Sequence, residues 1–184
     1  LGDQLTRIGR AAEAIPHLER ALALAPTYAE AHNNLGVALV ATGRRADAIT
    51  QFRDALRYQP DYAQAHFNLG LALSSGGNIA EGVPHFQEAL RLKPDYADAQ
   101  INWGVALVAS GRLTEALPHF EEAVRIGPGK ADTHYSLGRA LARSNRRDDA
   151  IAQYKKAVEL DPGYAEAHLS LAYALRQAGR LEEA

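Results

Sequence analysis

Apolar residues recur along this chain with two nested periods. Over stretches of about fourteen residues they fall three or four positions apart, as Leu35, Ala38 and Leu39 do, which predicts a helix with one apolar face. The same stretch returns at a fixed 34-residue interval, so that Leu39 is followed by Leu73 and Leu107. Each 34-residue unit contains two such stretches, and the pattern therefore predicts a repeated pair of amphipathic helices.

Glycine and proline mark the ends of the two predicted helices. With Ala29 as repeat position 1, the first helix is expected to end at position 15, where glycine or asparagine tolerates a left-handed backbone. Position 32 is a proline, which cannot continue a helix and favours extended geometry in the preceding residue. The residues concerned are Gly43, Gly77, Gly111, Asn145 and Gly179 at position 15, and Pro26, Pro60, Pro94, Pro128 and Pro162 at position 32.

The repeats account for the whole chain. Full copies occupy residues 29–62, 63–96, 97–130 and 131–164, with partial copies at 1–28 and 165–184. Because each unit can bury its apolar face only against its neighbours, we interpret residues 1–184 as a single repeat array. The chain begins and ends within predicted helices, so we expect a segment of a longer protein whose uncovered ends favour self-association.

Small and large residues occupy fixed positions of the predicted helix pair. Position 8 is Gly or Ala and position 20 is Ala or Gly, which predicts that the paired helices approach closely. Position 24 is Phe, Tyr or Leu and is expected to pack against the Leu at position 11. Gly82 replaces the usual Ala at position 20. Because a glycine inside a helix costs roughly 1 kcal/mol relative to alanine, we expect Gly82→Ala to stabilise the repeat at 63–96.

These positions together resemble the tetratricopeptide repeat, whose unit has about 34 residues. The resemblance rests on Leu-Gly at positions 7 and 8, Leu at 11, Gly at 15, Ala at 20, Phe or Tyr at 24, Ala at 27 and Pro at 32, and it covers the entire chain. It implies an all-α fold, a right-handed superhelical solenoid of helix-turn-helix repeats. Such repeats serve many unrelated assemblies, so the resemblance is specific for fold and much less specific for function.

Composition narrows the class of function. Of the 184 residues 47% are hydrophobic and 23% charged, and no apolar run is long enough to span a bilayer. The net charge of −2 gives no reason to expect nucleic acid as a partner. The absence of cysteine excludes disulfides, zinc–thiolate sites and thiol catalysis. We expect a soluble protein, in the cytoplasm rather than exported, although no targeting signal identifies the compartment.

The seven histidines are candidate metal ligands, but their spacing argues against a metal site. Histidines at the same repeat position are a whole repeat apart, on the order of 10 Å if stacked helices pack at ordinary distances, which one metal ion cannot bridge. We interpret them as packing residues and predict a non-enzymatic protein with no catalytic residue, metal or cofactor. They are His32, His66, His134 and His168 at position 4, and His17, His85 and His119 at position 23.

Charged residues also recur at fixed positions. Asp or Glu occupies position 2 in most copies, and Arg follows the end of the first helix at positions 16 and 17. Each placement complements the helix dipole, typically by ~0.3–1 kcal/mol per site. A solvated, dipole-matched surface is the simpler interpretation. The alternative is a groove with one acidic and one basic rim that orients a charged partner.

The resemblance places the first helices on the concave side of the array, with positions 2, 5, 6, 9, 12 and 13 facing its groove. Asn34, Asn68 and Asn102 at position 6 each offer a donor and an acceptor to the backbone of an extended peptide. This row is similar to the asparagine ladder of O-linked N-acetylglucosamine transferases. The other predicted peptide-binding residues are Val37, Phe67, Leu71, Ile101, Val105, Tyr135 and Arg139. We take these asparagines to be exposed, so replacing all three with Ala should leave helix content and melting nearly unchanged.

The hypothesis that follows is a scaffold that binds an extended peptide or a partner protein in the concave groove. Two alternatives remain open: a non-catalytic substrate-docking region of a larger enzyme such as a glycosyltransferase, and a self-assembling structural element. Surface asparagines without a dedicated ligand are also compatible with the pattern. A clamp for a chain-terminal carboxylate is disfavoured, because the acidic residues at position 2 would repel it.

Overall fold

The computed structural model describes residues 10–180 of the chain, and every regular element in that range is an α-helix. The helices are α1 (Ala11–Leu24), α2 (Ala29–Ala41), α3 (Arg45–Tyr58), α4 (Ala63–Ser75), α5 (Ile79–Leu92), α6 (Ala97–Ala109), α7 (Leu113–Ile126), α8 (Ala131–Arg143), α9 (Arg147–Leu160) and α10 (Ala165–Gln177).

The helices follow the predicted period. The first helices of the repeats, which are α2, α4, α6, α8 and α10, have 13 residues each. The second helices, which are α1, α3, α5, α7 and α9, have 14 residues each. Helices of one kind begin one repeat apart throughout the described range, as Ala29, Ala63 and Ala97 show. The predicted all-α fold of repeated helix pairs is therefore confirmed.

Each first helix is followed by a left-handed residue at position 15, as predicted. Gly43 has a φ of 80°, and the N–H of Arg44 donates to the carbonyl of Leu39 at 2.8 Å. Asn145 has a φ of 62°, and the N–H of Arg146 donates to the carbonyl of Leu141 at 3.0 Å. These bonds close the helix end in the Schellman pattern. Asparagine thus replaces glycine without changing the turn.

The chain forms two compact units, Leu1–Pro94 and Asp95–Ala184. In each unit the two helices of a repeat pack against each other and against the next repeat. The core of the first unit includes Leu39, Phe52 and Leu73, and that of the second includes Leu107, Phe120 and Leu141. The interpretation of residues 1–184 as a single array stays a prediction. So does self-association through the ends, because residues 1–9 and 181–184 lie outside the described part of the chain.

The glycine at position 8 lies against the aromatic ring at position 24 of the same repeat. A Cβ atom on Gly104 would lie 2.8 Å from Cζ of Phe120, and one on Gly138 would lie 2.7 Å from the ring of Tyr154. Both rings are buried in the core. The expectation that small residues allow close helix packing is confirmed, and the space they leave is filled by the aromatic rings.

The expectation that Gly82→Ala stabilises the repeat is wrong. Gly82 is buried in α5, and a Cβ atom there would overlap the hydroxyl of Ser74 and lie 2.8 Å from the carbonyl oxygen of Gly70. The main chain cannot move aside as a flexible side chain could. We therefore expect steric exclusion at this contact to outweigh the gain in helix propensity that motivated the substitution.

Candidate functional site

Two cavities open on the first helices of the second unit. Cavity A has a volume of about 370 Å³ and lies between α6, α7 and α8. Cavity B has a volume of about 400 Å³ and lies between α8, α9 and α10. The residues of cavity A are Val105, Val108, Ala109, Phe120, Ser136, Arg139, Ala140 and Arg143. Those of cavity B are Ala142, Arg147, Ala150, Tyr154, Leu169, Ser170, Tyr173, Ala174 and Gln177.

The two cavities are built from the same repeat positions. Each takes positions 12 and 24 from one repeat and positions 6, 9, 10 and 13 from the next. The aromatic residue at position 24, Phe120 in cavity A and Tyr154 in cavity B, is a buried core residue, so the cavities reach down to the core of each repeat. Because the sequence repeats every 34 residues, equivalent positions of successive repeats form the two similar cavities A and B.

Large apolar side chains border these cavities and are exposed. The exposed fraction is 50% for Val105, 73% for Leu169 and 57% for Tyr173. They occupy positions 9, 5 and 9, all of which were predicted to face the groove. Together with the recesses they give the first-helix face of the second unit apolar surface that a partner could cover.

Two arginines of α8 line cavity A. Arg139 and Arg143 are four residues apart and both line the cavity, so they lie on one face of the helix. The guanidinium of Arg139 lies over the ring of Tyr135, with its Cζ 5.7 Å from the ring centroid. Among residues 10–180, neither arginine has a carboxylate within ion-pair distance. Positive charge therefore accumulates at cavity A.

Tyr135 belongs to an aromatic cluster rather than standing free in a groove. Its ring centroid is 4.9 Å from that of Tyr164 and 6.0 Å from that of Tyr154. Burial, with the neighbouring Tyr135, raises the pKa of Tyr154 to about 12. Burial, with the nearby Asp132 carboxylate, raises the pKa of Tyr164 to about 12. Both phenols thus stay neutral at physiological pH, and Tyr135 is half-buried among them.

Acidic residues gather at the opposite ends of the same helices. A third cavity, of about 400 Å³, is lined in part by Asp98, Ile101 and Asp132, together with Asp161. The amino group of Lys130 is 3.8 Å from the carboxylate of Asp98. The carboxylates at position 2 stand in the first turns of α6 and α8, where they complement the helix dipoles. In α8, Asp132 therefore lies in the first turn and Arg143 in the last, whereas α6 carries only the acidic Asp98 in its first turn.

The asparagines of the first unit bind each other. The Asn68 amide donates to Oδ1 of Asn33 at 2.8 Å, and the Asn33 amide donates to Oδ1 of Asn34 at 3.3 Å. The amide of Gln64 donates to Asn68 at 3.2 Å. Asn33 is only 3% exposed. The asparagines at position 6 are thus joined by a buried asparagine at position 5, and the assumption that they are freely exposed is wrong.

The remaining predicted residues are half-buried or more. The Asn102 amide donates to the carbonyl of Asp98, one helical turn earlier, at 2.8 Å. Val37 and Leu71 are half-buried on the first helices of the first unit. Phe67 is 9% exposed, and its ring centroid is 6.3 Å from that of Phe86. Phe67 therefore packs between helices more than it faces a groove.

Most of the histidines bridge the two helices of a repeat, as packing residues do, whereas His17 and His168 are exposed. Nε2 of His32 donates to the carbonyl of Pro26 at 2.9 Å, and its Nδ1 lies 2.8 Å from the side-chain amide of Gln51. The equivalent bonds recur at His134, with Pro128 and Gln153. Sequence reasoning treated positions 4 and 23 as separate sets and missed that they meet within one repeat. Their separation of 19 residues gave no signal of this contact, because any two repeat positions are equally spaced in every copy.

Three of the arginines at position 16 form local ion pairs. Arg44 pairs with Asp47, Arg112 with Glu115, and Arg146 with Asp149, each three residues later. These pairs are solvent-exposed and contribute little to stability. They fit a solvated surface rather than a basic rim.

Sequence reasoning also missed part of the cavity lining. The sequence predicted only that position 13 faces the groove and did not single out Arg143 or Gln177, which line the cavities. It assigned the aromatic ring at position 24 to the core and not to a cavity wall. Within residues 10–180 no group of three or more His, Asp or Glu side chains is arranged to hold a metal ion. In the same range no helix is long and apolar enough to cross a membrane.

Family models described as Tetratricopeptide repeat match most of this chain. One matches residues 7–73 and 144–184, another residues 95–163, and a third residues 63–96. The first of these alone covers more than half of the chain. No curated protein sequence matches.

Solved structures of tetratricopeptide proteins have the same fold. A thermophilic protein of Thermus thermophilus is 24% identical, with 95% of each chain covered and a TM-score of 0.78. MamA is 26% identical, with 90% of this chain and 97% of that one covered and a TM-score of 0.76. YrrB, described as having an unusual peptide-binding site, is 25% identical, with 92% and 87% covered and a TM-score of 0.72.

Proposed function

The chain belongs to the tetratricopeptide repeat family, and on that premise we propose that it is a protein-interaction scaffold that holds an extended segment of a partner against its first helices. Repeat arrays of this kind present extended surfaces to their partners. The observation that carries the proposal is the pair of cavities A and B, which recur at one repeat phase on that face.

The spacing of the cavities suits an extended chain. Neighbouring first helices are on the order of 10 Å apart, and an extended chain covers that distance in about three residues at ~3.3 Å each. Successive apolar side chains of a partner would then enter cavities A and B. Val105, Leu169 and Tyr173, exposed beside the cavities, would be covered in the complex and would supply the burial that drives it.

Polar groups at position 6 would contact the backbone of the bound segment. In the second unit these are Asn102, Ser136 and Ser170, and the two serines line cavities A and B. Asn34 and Asn68, joined through Asn33, would contact in the same way a segment that binds to the first unit. A hydrogen-bonded asparagine is held in one orientation, which lowers the entropy lost when it binds a ligand.

The predicted apolar residues keep a role in this proposal. Val37, Leu71 and Ile101 are half-buried and would add apolar contact, while Tyr135 orients Arg139. Phe67 would support the face from within rather than contact the partner. YrrB, a tetratricopeptide protein with a peptide-binding site, supports the same use of this fold.

Selection of binding peptides tests the proposal. The full chain would be immobilised, a phage-displayed library of random peptides selected against it, and the best peptide titrated by fluorescence anisotropy. We expect Val105→Asp together with Tyr173→Ala to weaken binding at least tenfold, because the two residues border different cavities. The control is Glu121→Ala, because Glu121 is an exposed residue of α7 that lines neither cavity. Full affinity in the double variant, or no binding peptide at all, would overturn the proposal.

A further inference from the structure

We propose that cavity A selects an acidic side chain: its partner is a protein segment in which an Asp or Glu lies next to a large apolar residue. This inference rests on the proposed function and names the class of segment that binds. The apolar residue enters the recess over Phe120, and the carboxylate lies between Arg139 and Arg143 at its border.

The two arginines lack the neutralisation that most others have. Arg112, Arg125 and Arg146 each have a carboxylate at 2.7 Å or 2.8 Å within the described chain. Arg139 and Arg143 have none in the same range, and like charges four residues apart on a helix repel each other. An anionic group of a partner is therefore attracted to this arginine pair, which has no neutralising carboxylate beside the cavity. This is the charge complementarity on which the choice of partner depends.

Arg139 is already held in position. Its guanidinium lies over the ring of Tyr135, with Cζ 5.7 Å from the ring centroid, and this cation–π contact holds the side chain beside the ring. A planar fork of donors matches the two oxygens of a carboxylate, and the charged hydrogen bonds are about twice as strong as neutral ones. Preorganisation of this kind favours a carboxylate over a neutral amide of the same shape.

Cavity B continues the same chemistry. It is lined by Arg147, and the lining of cavities A and B together contains three arginines and no carboxylate among the described residues. The acidic residues of this face lie instead in the first turns of α6 and α8, at Asp98 and Asp132. A bound segment is thereby oriented across the helices, with its acidic side chains toward the arginine ends.

Peptides of matched shape test the inference. The probes are acetylated, amidated and fluorescently labelled peptides with four copies of Gly-Asp-Leu, Gly-Asn-Leu or Gly-Lys-Leu, titrated against the full chain at low salt. We expect the Asp peptide to bind at least about tenfold more tightly than the Asn peptide, and the Lys peptide most weakly. The preference should shrink as salt is added, because the arginines are open to solvent.

Two double variants locate the effect. Arg139→Gln with Arg143→Gln should abolish the preference for Asp over Asn. Arg112→Gln with Arg125→Gln removes the same charge from exposed, paired arginines that line neither cavity, and should keep the preference. Loss of preference in both double variants would show that only net charge matters, and would overturn the assignment to cavity A.

The outcomes separate this inference from the proposed function. Equal binding of the Asp and Asn peptides would overturn the acidic preference and leave the scaffold function standing. Binding of none of the peptides, with none recovered from the random library, would overturn both. If an Asn peptide with a free carboxyl terminus bound as tightly as the amidated Asp peptide, the arginines would be holding a chain end, and the assignment to an internal acidic side chain would be wrong.

Discussion

The Nδ1 atoms of His66 and His85 lie 3.1 Å apart, while Nε2 of His66 donates to the carbonyl of Pro60 at 2.9 Å. A neutral His66 therefore presents an unprotonated Nδ1, to which Nδ1–H of His85 donates. In two other repeats the residue at position 23 is Gln51 or Gln153, facing a histidine. The repeat at 63–96 alone, among the described helix pairs, has a titratable group on both sides of this contact.

The His85 side chain makes stability depend on pH. Burial, and next the charge of His66, lowers the pKa of His85. The unfolded chain binds a proton there near pH 6.5, whereas the folded chain binds it only at lower pH. The stabilising contribution is thus present above about pH 6.5 and is lost as pH falls through the folded pKa. His85→Gln should flatten the decline of the urea midpoint between pH 7 and pH 5.

A matched substitution controls this measurement. His17 occupies the same repeat position on α1 but is exposed, so His17→Gln should leave the pH dependence unchanged. If His85→Gln declined with pH as steeply as the parent chain, the pair would not be the source of the effect.

Removing the amide of Asn68 should destabilise the first unit. Asn68→Ala leaves Oδ1 of Asn33 without its 2.8 Å donor, and Asn33 is only 3% exposed. An unsatisfied buried acceptor costs about 1–3 kcal/mol. Asn102→Ala is the comparison at the same repeat position, because its amide binds only a carbonyl on its own helix. Chemical denaturation should show the larger loss for Asn68→Ala, and equal losses would contradict the role of Asn33.

Adding one methyl group at Gly82 should lower stability. The new Cβ would lie 2.8 Å from the carbonyl oxygen of Gly70, so α4 and α5 must separate. Overpacking typically costs about 1–3 kcal/mol, and alanine recovers about 1 kcal/mol in helix propensity. We expect a net loss of roughly 1–2 kcal/mol by urea denaturation. Gly129→Ala, where a Cβ meets open space, should change stability by less than about 0.5 kcal/mol. A more stable Gly82→Ala variant would mean that the higher helix propensity of alanine outweighs the steric overlap.

The contact between Gly138 and Tyr154 can be tested by a double-mutant cycle. Gly138→Ala directs a Cβ to within 2.7 Å of the Tyr154 ring and should cost roughly 1–3 kcal/mol. Tyr154→Leu, the residue that Leu18 supplies at the same position of another repeat, removes the ring. The two losses should then be less than additive, because the clash is absent in the double variant. Additive losses would mean that the ring is not what excludes the methyl group.

The sequence by itself determined the repeat and its elements. The 34-residue period, the glycine or asparagine at position 15 and the proline at position 32 placed every described helix, because helix ends depend on local backbone conformation and on hydrogen bonds within a few residues. The family followed from the same positions. Val105 and Arg139, which the sequence predicts to face the groove, line cavity A.

Only the tertiary structure decided which side chains meet. The link from Asn34 through Asn33 to Asn68, the pairing of positions 4 and 23, and the exclusion of a methyl group at Gly82 all depend on distances between different helices. Those distances are set by packing, which a periodic pattern does not specify. Arg143 shares cavity A with Val105 for the same reason: residues far apart in sequence line one recess only after the helices pack.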